Sequence, residues 1–177
     1  QFMLGIAPLG KLPLGVAAFL FLALPLAAFL IVLRRLAGPD FGLALLACAP
    51  ALMINVLIGQ NGYLSGALIG WACLLLLRGE GKGHSTAMGG LPLGLMIFKP
   101  HLAIPFAIEA LARPGLRVVA VALATVAVTS VLATLAFSPA IWPAFRTGVA
   151  ETSAFLASGA FPLFRMVSVY AFVRSLG

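Results

Sequence analysis

The sequence predicts an all-α, polytopic transmembrane bundle interrupted by short broken or re-entrant helices. Three observations predict it. The 177 residues are 63% hydrophobic and 8% charged, with a mean hydropathy of +1.17. A soluble domain carries about 25% charged residues, and so few charges cannot build a water-facing surface. The apolar runs are also unbroken rather than alternating, which excludes the strands of a membrane barrel. Finally, several runs approach the ~20 residues needed to cross a ~30 Å hydrocarbon core as helix, where the backbone must satisfy itself.

Residues 1–11 are short, bear Gly and Pro, and end at Lys11. A first span is expected over 12–33, with Pro25 kinking it and Arg34-Arg35 closing it before the turn signal Gly38-Pro39-Asp40. A second span covers 41–58, with Asn55 its one strongly polar residue. An intramembrane amide faces protein or a water-filled cavity rather than lipid. The polar break Gly59-Gln60-Asn61-Gly62 follows, then a third span over 63–77. Gly62, Gly66 and Gly70 recur every four residues, a stripe that lets another backbone approach closely.

The loop Arg78-Gly-Glu-Gly-Lys-Gly-His84 lacks the spacing of a P-loop and reads as solvated. Two apolar segments of about 13–14 residues come next, 85–98 and 100–112, too short to cross a bilayer comfortably. They are expected to form a helical hairpin with Lys99-Pro100-His101 at its tip. After the basic turn Arg113–Arg117, a long span is expected over 118–137. An outer interfacial loop covers 138–164, with the amphipathic mixture Trp142, Phe145, Arg146, Glu151 and Phe155, and a further segment begins at 165–177. The chain is read as a single transmembrane domain and as a fragment of a larger protein, without a signal peptide.

The formal charge of +7 is spread over turns rather than clustered on one face, which argues against nucleic acid and for contact with membrane lipids. Cys48 and Cys73 sit in apolar runs and read as small buried hydrophobes. No second His or Cys lies at ligand spacing from His101, so no metal site is expected. Arg34, Arg35, Arg78, Lys82, Arg113 and Arg117 fall at one side of the bundle, and Lys11, Lys99, Arg146 and Arg165 at the other. The positive-inside rule assigns the first set to the cytoplasm. Gln60-Asn61, Lys99-His101 and the outer loop then share the far side.

Lys99 at an intramembrane tip costs roughly 2.5–3.5 kcal/mol at the bilayer centre. It either snorkels to the headgroups or binds a phosphate as a point charge. His101 either donates to the same anion or is an interfacial histidine. Gln60 and Asn61 either read sugar hydroxyls or form a capped turn. Of the four carboxylates, Asp40 and Glu80 lie in the cytoplasmic turns, Glu109 pairs with Arg113 along a helix, and Glu151 alone is on the outer loop.

The ordered set Gly59-Gln60-Asn61-Gly62, a span ending at Arg78, the small-residue segment Ala87 to Leu95, Lys99-Pro100 and the Arg113–Arg117 turn resembles glycosyltransferase family 87, of the GT-C superfamily. The resemblance covers roughly residues 40 to 177. It implies a polyprenyl-phosphate-sugar donor, often mannosyl, and transfer of a hexose to a glycan or glycolipid acceptor on the non-cytoplasmic side, with no cofactor. The expected location is a cell membrane crossed several times, a bacterial plasma or inner membrane. The resemblance also implies an acidic residue in the first outer loop. No Asp or Glu precedes Asp40, so that base is expected upstream of Gln1. The residues expected to bind substrate are Gln60, Asn61, Lys99, His101 and Arg146: Lys99, with His101 and Arg146, steadies the leaving phosphate, and Gln60 and Asn61 touch the sugar. Broken helices and a buried lysine also fit a transporter or flippase subunit, or a structural subunit whose polar breaks only pack.

Overall fold

A computed structural model describes residues 2–78, 86–112, 116–160, 173 and 176. The glycine-rich loop with Glu80 and Lys82, the turn residue Arg113, and Arg165 with most of the segment that follows it lie outside the described residues. Every element among the described residues is helical. The helices are α1 (Phe2–Ile6), α2 (Leu14–Ala37), α3 (Phe41–Ile58), α4 (Gly62–Arg78), α5 (Gly90–Leu95), α6 (Pro100–Ala112), α7 (Leu116–Phe137) and α8 (Ile141–Ala157). The chain divides into two compact units, Gln1–Ala136 and Phe137–Gly177. The first holds α1 to α7 and the second holds α8.

The helical stretch Leu14–Ile58, interrupted by Arg34, Arg35 and Asp40, contains an 18-residue window of mean hydropathy 2.9, and Leu116–Phe137 one of 2.4; both are long and apolar enough to cross a membrane. At 1.5 Å per residue, α2 spans about 36 Å and α7 about 33 Å. Pro25 and Pro50 are accommodated inside α2 and α3. Polar side chains on α7 turn inward on their own helix. Thr125 donates to the Val121 carbonyl at 2.8 Å, Ser130 to Val126 at 2.7 Å and Thr134 to Ser130 at 2.9 Å. Each hydroxyl thus finds a partner without water, which lets a Thr-rich run lie in lipid.

The glycine stripe on α4 is where α2 packs. A methyl group on Gly66 would lie 2.8 Å from the Phe29 ring, and one on Gly70 would lie 2.3 Å from Val32. Residue numbers rise together along this contact, so α2 and α4 run side by side in the same direction. Arg34 and Arg35 at the end of α2 and Arg78 at the end of α4 therefore share one end of the unit. Arg34 also lies over the Phe41 ring, 5.9 Å from its centroid, across the turn that carries Asp40.

A second close approach sets the hairpin. A methyl group on Gly90 would lie 2.1 Å from the Val118 carbonyl oxygen, and one on Gly94 would lie 2.5 Å from the Ala122 carbonyl oxygen. These two glycines let α5 lie backbone to backbone on α7, as small residues do in membranes. Ala72, Leu93 and Val118 form the buried cluster there, with Leu76, Phe106 and Ala122 packed against it. Thus α5 leaves the basic end alongside α7, and α6 returns Phe106 to the same cluster. The segment 86–98 is less regular than one helix. Turn residues Met88-Gly89 precede α5, and a 3-10 turn, Met96–Phe98, follows it. Residues 141–157, expected within an outer loop, form helix α8, with Trp142, Phe145, Val149 and Leu156 at spacings that share one face.

Candidate functional site

The polar break after α3 is built by a helix stop and a cap supplied from a distance. Gly59 adopts φ +68°, a left-handed conformation that glycine takes without strain, and this ends α3. The Gln60 amide then donates to the Asn55 carbonyl at 3.1 Å. The side chain of Asn55 does two further jobs. Its Nδ2 donates to the Ala51 carbonyl at 2.8 Å, and its Oδ1 accepts from the Gly62 amide, the first of α4, at 3.0 Å. Gly62 has no room for a side chain there, since a methyl group would lie 2.1 Å from Asn55 Oδ1. The Tyr63 hydroxyl donates to the Leu52 carbonyl and ties the start of α4 to α3. Asn55 therefore faces protein, as expected of an intramembrane amide, and it organises the break.

Because Asn55 supplies that contact, Gln60 and Asn61 do not. Among the described residues neither side-chain amide has a hydrogen-bond partner; the Asn61 carbonyl accepts from the Ser65 amide and hydroxyl, each at 3.2 Å. Both residues line a cavity of about 240 Å³. Its remaining wall is apolar, with Ile6 and Leu9 from the N-terminal segment, Phe21 and Leu24 from α2, and Leu64 from α4. The N-terminal wall carried no signal in the sequence. A helix of five residues is too short to show an amphipathic period, and what it covers is set by tertiary contact.

The second break lies at this same end of the unit. Phe98 stacks on Phe2, a cavity-lining residue, with centroids 5.0 Å apart and planes at 21°. Lys99 follows in a non-helical joint at φ −138°, ψ 67°, away from the helical region as a residue before proline is. Its amide donates to the Met96 carbonyl at 2.8 Å, and its carbonyl accepts from Leu102 at 3.0 Å, so the joint is fixed on both sides. Pro100 then opens α6, a first-turn position that needs no N–H. The Lys99 side chain is half-buried and, among the described residues, has no ion-pair or hydrogen-bond partner. His101 is exposed on the first turn of α6.

The structure thus brings Gln60, Asn61 and the Phe98–Lys99 joint to one end of the first unit. Arg146 lies exposed on α8, in the second unit. Asp40 lies at the opposite, basic end, in the turn between α2 and α3. Among the described residues no three histidine, cysteine or carboxylate side chains come together to hold a metal ion. Cys48 and Cys73 are free thiols.

The model of glycosyltransferase family 87 matches residues 1–177, the whole chain. The chain belongs to glycosyltransferase family 87. No curated protein and no solved structure matches it. Membership decides among the readings that the residues left open. The helical bundle is that of a membrane glycosyltransferase rather than of a transporter or flippase subunit. As a glycosyltransferase it takes a sugar donor and an acceptor.

Proposed function

We propose that this chain carries the donor site of a transferase that moves a hexose, mannose above all, from a polyprenyl-phosphate carrier to a glycan or glycolipid on the non-cytoplasmic face. The observation that carries the proposal is the cavity beside Gln60 and Asn61. Its wall is mostly apolar, its two side-chain amides have no hydrogen-bond partner among the described residues, and Lys99 follows directly on Phe98, which stacks on Phe2 of that wall. An isoprenoid chain needs an apolar wall, a sugar hydroxyl needs a group that both donates and accepts, and a phosphate needs a cation. At about 240 Å³ the cavity is below the 300–1,000 Å³ or so of a drug-sized site. It suits one sugar ring or the first isoprene units rather than a whole carrier.

In this reading the acceptor hydroxyl oxygen attacks the anomeric carbon, the bond to the phosphate oxygen breaks with its electron pair leaving on the phosphate, and the hydroxyl proton passes to the released phosphate monoester. The charge developing there is compensated by Lys99, with His101 on the next turn as a further donor. Gln60 and Asn61 hold the sugar ring through its hydroxyls.

Donor class is the direct test. Full-length enzyme in proteoliposomes, given labelled polyprenyl-phosphate hexoses and labelled nucleotide sugars in parallel, is expected to transfer from the lipid carriers alone. Transfer from nucleotide sugars without the lipid would overturn the carrier assignment.

A further inference from the structure

Phe2 belongs to both halves of this site. Its ring lines the cavity with Gln60 and Asn61, and it stacks on Phe98, whose carbonyl carbon is bonded to the Lys99 nitrogen. Neither partner is held firmly by its own element. Helix α1 has five residues, well under the length at which an isolated helix holds together. Phe98 is the last residue of a three-residue 3-10 turn, a form with poor hydrogen-bond geometry. Met96, fully buried, anchors the start of that turn, whereas Phe98 is only half-buried. The ring pair therefore contributes to fixing both the cavity wall and the joint.

We infer that Phe2 is a positioning residue: stacked on Phe98, it holds the Lys99 joint against the cavity, so that one polyprenyl phosphate meets the apolar wall and the ammonium together. This rests on the donor-site reading above. The coupling runs both ways. A ligand that packs on Phe2 orders the joint, and a joint held in place keeps Phe2 in the wall.

The test uses full-length enzyme in nanodiscs and two readouts, the Kd of tritiated polyprenyl phosphate and the donor kcat/KM. Phe2→Ala and Phe98→Ala are each expected to weaken binding and lower kcat/KM about 3- to 10-fold, the scale of one aromatic pair. The double variant is expected to be no worse than either single, because residues in contact do not add. Phe2→Tyr, which keeps the stack, is expected to restore binding; Phe2→Leu keeps apolar volume without the stack and is expected to stay weak. The Tyr and Leu variants keep the comparison readable if the alanine variants fold poorly. A purely structural role would lower the yield of folded protein and leave the Kd of the folded fraction unchanged, and that result overturns the inference. So does simple additivity in the double variant. Lys99→Ala in the same assay separates the two levels. If it binds normally, the donor-phosphate reading falls and the positioning role falls with it. If it binds weakly while the Phe2 and Phe98 variants bind normally, the positioning role alone falls.

Discussion

Lys99→Ala should lower sugar transfer by the full-length enzyme roughly 100-fold, the usual cost of removing one group that stabilises developing negative charge. The residue is half-buried and has no ion-pair partner among the described residues. Partial burial of an ammonium without a fixed counter-ion carries a desolvation cost, and a ligand anion offsets that cost when it binds. Two backbone hydrogen bonds and the following proline set its main-chain conformation, while the Phe2–Phe98 stack ties the joint to the N-terminal segment. Lys99→Arg should retain only part of the rate. The planar guanidinium keeps the charge but spreads it over a larger fork than a single phosphate oxygen requires. Initial rates at saturating donor, on protein with a wild-type elution profile, check both. A normal rate for Lys99→Ala would remove the residue from the phosphate site.

Gly90→Ala should be the most damaging single change to the fold of the first unit. The added methyl group would lie 2.1 Å from the Val118 carbonyl oxygen and 2.8 Å from the Ala122 nitrogen. Those atoms are backbone of a 22-residue helix and cannot rotate away. Overpacking ordinarily costs about 1–3 kcal/mol, and a clash with main chain lies at or beyond the upper part of that range. The loss reaches the site, because α5 leads through the 3-10 turn to Phe98 and Lys99. Gly42→Ala is the matched control. Gly42 lies in α3 with nothing within 4 Å of an added methyl group, and alanine is the better helix former. Thermal unfolding in detergent should show a fall of many degrees for Gly90→Ala and none for Gly42→Ala. Equal stability of the two would show that α5 and α7 are not in backbone contact.

Much of this architecture was legible in the sequence because it rests on spacing. The segments read as spans over 41–58 and 63–77 are the helices α3 and α4, and the four-residue glycine stripe, read as admitting another backbone, admits the side chains of Phe29 on Gly66 and Val32 on Gly70. The break at Lys99-Pro100 was legible because proline constrains the residue before it. What stayed hidden depends on contacts between distant parts of the chain. Asn55 was visible as a lone polar residue, but its role in holding Gly62, seven positions on, needs the turn in three dimensions. Residues 2–11 gave no period to read, yet they form one wall of the cavity. The helix at 141–157 had a legible signal in Trp142, Phe145 and Val149, masked by the polar residues between them. Gln60 and Asn61 could be read as a cap or as ligands, and only the geometry of Asn55 shows that the cap comes from elsewhere.

The cavity beside Gln60 and Asn61 is proposed to receive the lipid-linked donor. A polyprenyl phosphate carrying a diazirine in its first isoprene units, photolysed with the full-length enzyme in nanodiscs and mapped by peptide mass spectrometry, tests it most directly. Adducts are expected on Phe2–Leu9, on Leu20–Leu24 and around Leu64, suppressed by excess unlabelled polyprenyl phosphate. Competed adducts confined to other segments, with these three unmodified, would contradict it.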